Sequence, residues 1–181
     1  MISTPRLHLI PATPAHLRAE LEGRAAFEAA IGFAVPENWP PDLYDREATQ
    51  YILGLLEQLP EPSPWWLYYV VLRVEEGDVV VGTVGYKGDP DAEGIVEIGY
   101  GTLSQYRRRG IASEAARALV DRAFRDPAVK YVAAETFPDL IPSLGVMAKC
   151  GFRYMGPAAE QGVIRYGISR DEYAAFSASN N

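Results

Sequence analysis

Apolar and polar residues alternate with two different periods along the chain. Leu7-His8-Leu9-Ile10 reads as a short strand, and Pro11 and Pro14 punctuate its exit. Thr13 is placed to cap a helix opening at Pro14, because proline is tolerated in the first helical turn. Residues 15–34 are rich in Ala, Leu and Glu and predict helix. Pro36 to Pro41 is a loop. From Leu43 to Leu59 the apolar residues Tyr51, Ile52, Leu55, Leu56 and Leu59 recur at helical spacing. Pro60, Pro62 and Pro64 then stop the helix, since proline has no N–H to continue it. From Trp65 the period changes. Trp65 to Val74, a turn over Glu75-Glu76-Gly77-Asp78, and Val79 to Tyr86 read as strand, tight turn, strand. After a loop from Lys87 to Gly94, Ile95 to Gly101 predicts the third strand of an antiparallel run. Gly110 to Phe124 is the clearest helix, with Ile111, Ala115, Ala118, Leu119 and Ala123 on its apolar side. Val129 to Thr136 is a strand. Ser143 to Cys150 is a short helix stopped by Gly151. Phe152 to Gly156 and Val163 to Ser169 form a final strand pair, and Asp171 to Ala178 a last helix.

The order is strand, helices, three strands, helix, strand, helix, strands. It predicts a mixed α/β domain whose one crossover helix joins two strands that run parallel. There is no internal repeat. Pro60 to Pro64 is a linker candidate, but the residues before it are too poor in strands to stand alone, so the expectation is a single domain over residues 1–181. With 181 residues, 48% of them hydrophobic and 23% charged, the chain is long enough to bury a substantial core. One cysteine, Cys150, forms no internal disulfide, and with His8 and His16 makes too few ligands for a structural zinc site. The net charge of −7 argues against nucleic acid, whose binders rely on Lys and Arg against phosphate. No apolar run approaches the roughly 18–20 residues of a membrane span. The N-terminus lacks the apolar core of a signal peptide, so a cytoplasmic location is expected.

The chemistry lies between Val96 and Phe124. A strand ends at Gly101 and leads through Thr102-Leu103-Ser104-Gln105-Tyr106 into Arg107-Arg108-Arg109-Gly110-Ile111-Ala112, which opens directly into a helix. A helix N-terminus offers unpaired N–H groups and the positive end of the helix dipole. Gly110 and Ala112 leave room for an oxygen to approach that backbone, and three arginines supply forked donors. Such a turn suits an anion, most simply a pyrophosphate. The plainer alternative is a solvated basic turn, but basic residues at a helix N-terminus oppose the dipole unless an anion sits there. The spacing fits neither a P-loop nor a three-glycine dinucleotide turn.

The pattern that fits is Gln/Arg-x-x-Gly-x-Gly/Ala, filled by Arg107, Gly110 and Ala112. Here the chain resembles the GCN5-related N-acetyltransferase family, in the branch similar to ribosomal-protein N-terminal acetyltransferases. Glu97-Ile98-Gly99-Tyr100, Ser113-Glu114-Ala115, Glu135-Thr136 and Lys149-Cys150-Gly151-Phe152 extend the resemblance. It implies an acyl-CoA N-acyltransferase-like fold, a twisted mixed sheet of about six to seven strands splayed at its centre between two parallel strands. It also implies acetyl-CoA as cosubstrate. The pyrophosphate would lie on Arg107, Arg108, Arg109, Gly110, Ile111, Ala112 and Ser113, and the pantetheine arm along the backbone of Gly101, Thr102 and Leu103.

Acetyl transfer to an amine needs a base, a stabiliser for the carbonyl oxygen and a proton donor for the leaving thiolate. The resemblance implies Glu97 as the base, commonly through water, with Glu135 on the next strand as the second candidate. A base here gains if burial raises its pKa, and two carboxylates facing one cleft would push one value up. The alternative for Glu97 is a solvated residue of an alternating strand. Gly99 and Gly101 suggest a bulge that frees a backbone N–H near Tyr100 or Gly101 for the oxygen. Ser143 matches a serine that donates to the thiolate sulfur, and its alternative role is a helix N-cap. The branch carries an asparagine three residues before that serine, where this chain has Leu140, and Pro142 precedes the serine.

The reading that follows is an N-acetyltransferase acting by direct attack of a primary amine, on a small molecule or a protein N-terminus. A non-catalytic acyl-CoA or CoA sensor on the same fold is the alternative, kept in view by Leu140. A cofactor-free interaction domain is a third. Partners would be acetyl-CoA and an amine acceptor, with no nucleic acid, no membrane, and room for a homodimer. Trp39, Trp65 and Trp66 read as core or cleft wall.

Overall fold

The structure, a computed structural model, describes residues 1–59 and 63–179. Eight strands and six helices are found among them. Strands are β1 (Ile2–Ser3), β2 (Leu7–Pro11), β3 (Leu67–Leu72), β4 (Val79–Tyr86), β5 (Ile95–Thr102), β6 (Tyr131–Thr136), β7 (Arg153–Pro157) and β8 (Ile164–Ser169). Helices are α1 (Pro14–Glu22), α2 (Arg24–Ile31), α3 (Arg46–Gln58), α4 (Ile111–Ala123), α5 (Ile141–Lys149) and α6 (Arg170–Ser179). Two compact units emerge, Met1–Gly85 with Tyr100–Ala115, and Tyr86–Gly99 with Ala116 to the C-terminus. Strands β4 and β5 and helix α4 pass from one to the other.

In the first unit β1, β2, β3 and β4 are successive antiparallel neighbours. The end of β5 joins β4, with Leu103 N donating to Val81 O at 2.9 Å. Helices α1, α2 and α3 bury their apolar stripes here. Leu17, Phe27 and Ile31 form one core with Val35, Tyr69, Val71 and Val80, flanked by Ile52 and Leu56 of α3. Thr13 caps α1 as expected, its side chain accepting from His16 N at 3.2 Å. The helical stretch over 15–34 is two helices rather than one. Gly23 at φ 135 breaks it, and Gly32 at φ 76 ends it. Asp45 caps α3, accepting from Ala48 N at 2.9 Å. Of the expected linker, Pro60, Glu61 and Pro62 lie outside the described residues.

In the second unit the order is β5, β6, β8, β7. Strand β5 is parallel to β6, and the other two pairings are antiparallel. Helix α4 is the crossover between the parallel strands. The parallel register covers three positions only, Ile95↔Tyr131, Val96↔Val132 and Glu97↔Ala133, while both strands continue beyond it. The strands therefore part after Glu97 and Ala133. Val96, Ile98, Leu119, Val120, Val132, Ala134 and Ile168 are among the buried residues of this unit. Among the described residues there are eight strands, the two-residue β1 carrying no periodicity to read. Strand β5 runs unbroken from Ile95 to Thr102, and neither Gly99 nor Gly101 takes a positive φ.

Candidate active site

The turn before α4 is built inside the first unit. A short 3₁₀ segment, Ser104–Tyr106, is closed by Tyr106 N to Leu103 O at 2.9 Å and Arg107 N to Ser104 O at 3.3 Å. The backbone then takes left-handed conformations at Arg108 (φ 60) and Gly110 (φ 76). A non-glycine residue there costs about 1 kcal/mol or more, and such strain marks functional turns. Turns of this kind converge successive N–H groups on an anion. Among the described residues no backbone carbonyl accepts from the amides of Arg109, Gly110, Ile111 or Ala112, as expected at a helix start. A Cβ on Gly110 would come within 3.4 Å of Arg6 Nη2, so the glycine keeps this corner open.

Two of the three arginines have their side chains engaged. Arg107 donates from Nε to Thr102 O at 3.0 Å and from Nη2 to Asp42 Oδ2 at 2.6 Å. The Arg109 guanidinium lies 5.5 Å from the centre of the Tyr106 ring, and its backbone oxygen accepts from Arg6 Nη1 at 3.0 Å. Arg108 has no partner among the described residues. Arg6 had no signal in the sequence, because its partner Glu114 lies far along the chain. Glu114 accepts from Thr4 Oγ1 at 2.5 Å, Arg6 N at 3.0 Å and Arg6 Nε at 2.7 Å. Burial alone would raise the Glu114 carboxyl, but these donors and the Arg6 charge outweigh it and hold it below the ordinary range. A carboxylate in the first turn of α4 also suits the helix dipole. The N-terminal hairpin is thus pinned to the start of α4.

The carboxylates lie in the second unit. Glu97 pairs in register with Ala133, and Glu135 is two positions beyond Ala133, so the two glutamates share one face of the sheet. Glu97 Oε1 is buried and faces Lys87 Nζ as an ion pair. Glu135 stands opposite Arg165 on β8 and accepts from Arg165 Nε at 2.8 Å and Nη2 at 2.6 Å. Neither is a solvated surface residue, since their side chains are 20% and 15% exposed. Lys87 and Arg165 were not read from the sequence. Lys87 was legible in principle, because Lys87 N donates to Glu97 O at 2.9 Å, as folding the 87–94 loop into a hairpin would place it.

Ser143 does not cap its helix. Helix α5 begins two residues earlier, Leu140 holds the N-cap position, and no side chain makes the cap hydrogen bond. Ser143 sits in the first turn behind Pro142, with its N–H on Leu140 O at 2.9 Å. Leu140 is 40% exposed beside exposed Phe137 and Ile141. Cys150 is buried, which pushes its thiol up to about 11 and suits a packed residue rather than a nucleophile.

The acetyltransferase (GNAT) domain family model matches residues 6–153. The chain belongs to the GNAT family. It is 33% identical over 131 residues to an uncharacterised N-acetyltransferase, YjdG, of Bacillus subtilis (strain 168), covering 72% of this chain and 76% of that protein. A GNAT-family acetyltransferase of Bacillus anthracis has the same fold, with TM-score 0.62 and 22% identity over 94% of this chain and 98% of that one. So does RimL, a ribosomal L7/L12 alpha-N-protein acetyltransferase solved with coenzyme A, with TM-score 0.62 and 19% identity over 93% of this chain and 97% of that one. The mixed α/β architecture is that of the acyl-CoA N-acyltransferases, and GNAT membership makes the chain an acetyl-CoA-dependent acyltransferase. No helix among the described residues is long and apolar enough to cross a membrane.

Proposed function

We propose that the chain moves an acetyl group from acetyl-CoA to a primary amine, of a small molecule or a protein N-terminus, by direct attack. The observation that carries this is the turn from Arg107 to Ala112. Its left-handed backbone, open amides and arginines fit a pyrophosphate. In this reading the amides of Gly110 to Ser113 and the side chains of Arg107, Arg108 and Arg109 hold the phosphates. The backbone of Gly101, Thr102 and Leu103 holds the pantetheine arm. The bound thioester supplies the acetyl group. Glu97, its carboxylate paired with Lys87, takes the proton from the incoming ammonium through water. Glu135, clamped by Arg165, is the second candidate for that proton. Ser143 donates to the sulfur as it leaves. The ribosomal-protein branch, a single functional domain, a homodimer and a cytoplasmic setting belong to the same proposal.

Isothermal titration of acetyl-CoA tests it, with dephospho-CoA and acetate as controls. Saturable binding that Arg107→Glu removes is the expected result. In an amine panel scored by CoA release, Glu97→Gln should lower turnover about 10²- to 10⁴-fold with cofactor affinity nearly unchanged. No binding at millimolar acetyl-CoA would sink the reading of the turn. Unchanged turnover in Glu97→Gln together with a loss in Glu135→Gln would move the base to Glu135.

A further inference from the structure

Asp42 lies in the loop that leads from Pro36 to the start of α3. Its carboxylate takes Arg107 Nη2 at 2.6 Å and has no other partner among the described residues. The loop is fixed on both sides of it. Asn38 and Gln105 exchange hydrogen bonds in both directions, at 2.6 and 2.8 Å, which ties the loop to the 3₁₀ segment of the turn. On the inner side, Tyr44 is buried and donates to Glu20 Oε2 at 3.1 Å. Between Asp42 and Tyr44 stands Leu43, at φ 65 and 93% exposed. A leucine keeps a left-handed backbone and a solvated side chain only where its neighbours demand it. Here Tyr44 is drawn inward while Asp42 is presented to Arg107.

We propose that Asp42 is a built-in competitor at Arg107, and so a specificity-determining residue for the cosubstrate. This rests on the pyrophosphate reading of the turn. With Nε engaged by Thr102 O and Nη2 by Asp42, two of the five guanidinium N–H donors are taken and its charge is already shared with a carboxylate. The incoming anion therefore competes with a carboxylate for this charge rather than meeting an unpaired guanidinium. The pair is exposed, 45% at Arg107 and 76% at Asp42, so it is weak and screened by salt and can be exchanged. A pyrophosphate, with two charges and several acceptor oxygens, wins that exchange. A single carboxylate gains nothing over Asp42. The contact thus filters out small monoanions while costing little affinity for a diphosphate ester.

The test is acetyl-CoA titration into the wild type, Asp42→Asn, Arg107→Gln and the double variant, at one ionic strength. Asp42→Asn should bind acetyl-CoA about two- to fivefold more tightly, the size of an exposed ion pair. Acetate should then compete in that variant at concentrations that leave the wild type unaffected. The gain should vanish in the Arg107→Gln background. Equal or weaker binding by Asp42→Asn would overturn the proposal and make Asp42 a support for Arg107. A gain that persists without Arg107 would overturn it as well, in favour of a general charge effect. If Arg107→Gln alone leaves affinity untouched, the pyrophosphate reading itself has failed and the competitor falls with it. Asp42 is on the surface, so thermal melting of each variant separates a folding defect from a binding change.

Discussion

Glu20 is the side chain whose surroundings make the sharpest claim. It accepts from Trp39 Nε1 at 2.6 Å, Tyr69 OH at 2.7 Å and Tyr44 OH at 3.1 Å. All three donors are neutral, and no cation pairs with it among the described residues. Burial pushes its carboxyl above the ordinary value of 4.5, and the three donors only partly oppose this. Glu20 therefore holds its proton more tightly folded than unfolded. Its contribution to stability is complete below pH 4.5 and is lost as pH rises through the folded value. An amide does not titrate and can still accept from Trp39. Glu20→Gln should gain about 1 kcal/mol at neutral pH, or about 2–4 °C in Tm for a chain of this length. That advantage should shrink as the melts are taken down toward pH 4.5. A flat difference across pH, or a less stable variant, would mean that the charge is compensated. None of this was legible in the sequence. Glu20 sits in an amphipathic helix as any surface glutamate would, and its donors come from positions 39, 44 and 69, which only the folded chain brings together.

Where the elements were readable, a local signal set them. Thr13-Pro14 started α1, and the change of period at Trp65 announced β3 and β4. Gly151 stopped α5, and its geometry shows why. Gly151 N donates to Ala148 O and Phe152 N to Met147 O, both at 3.0 Å, which is a Schellman closure with the glycine at φ 78. A Cβ there would lie 2.9 Å from the Phe176 ring and 3.1 Å from Ile168 Cδ1. Gly151→Ala should thus combine left-handed strain with forced repacking and cost about 2–4 kcal/mol, read by urea unfolding. A loss under about 1 kcal/mol would show that the ring moves freely. The break at Gly23 was less readable, because a glycine inside a helical pattern is often tolerated. The three-residue parallel register of β5 and β6 has no local signature either. It follows from where two strands part, and only the resemblance to a family anticipated it.

For the whole chain, the family was legible because one turn gathers a specific motif within a few residues. The acceptor was not, because no comparable run of residues names an amine. The candidate carboxylates were found, but not their ion-pair partners: Lys87, just past the end of β4, was legible only by folding the hairpin, and Arg165 comes from β8, where spacing gives no guidance. A ligand that binds only the folded chain stabilises all of it by mass action, whichever residues it touches. Acetyl-CoA at about a hundred times its dissociation constant should add about 2.7 kcal/mol to the free energy of unfolding. At this chain length that corresponds to a rise of about 5–10 °C in Tm. Arg107→Glu should abolish most of the rise, because it puts a carboxylate where the phosphates would lie and sets it against Asp42. Glu97→Gln should keep the full rise, since its role lies in proton transfer. If instead acetyl-CoA leaves Tm unchanged at millimolar concentration, cofactor binding is absent from the folded chain. If Glu97→Gln loses the rise as well, Glu97 holds cofactor rather than a proton, and the base must be sought at Glu135.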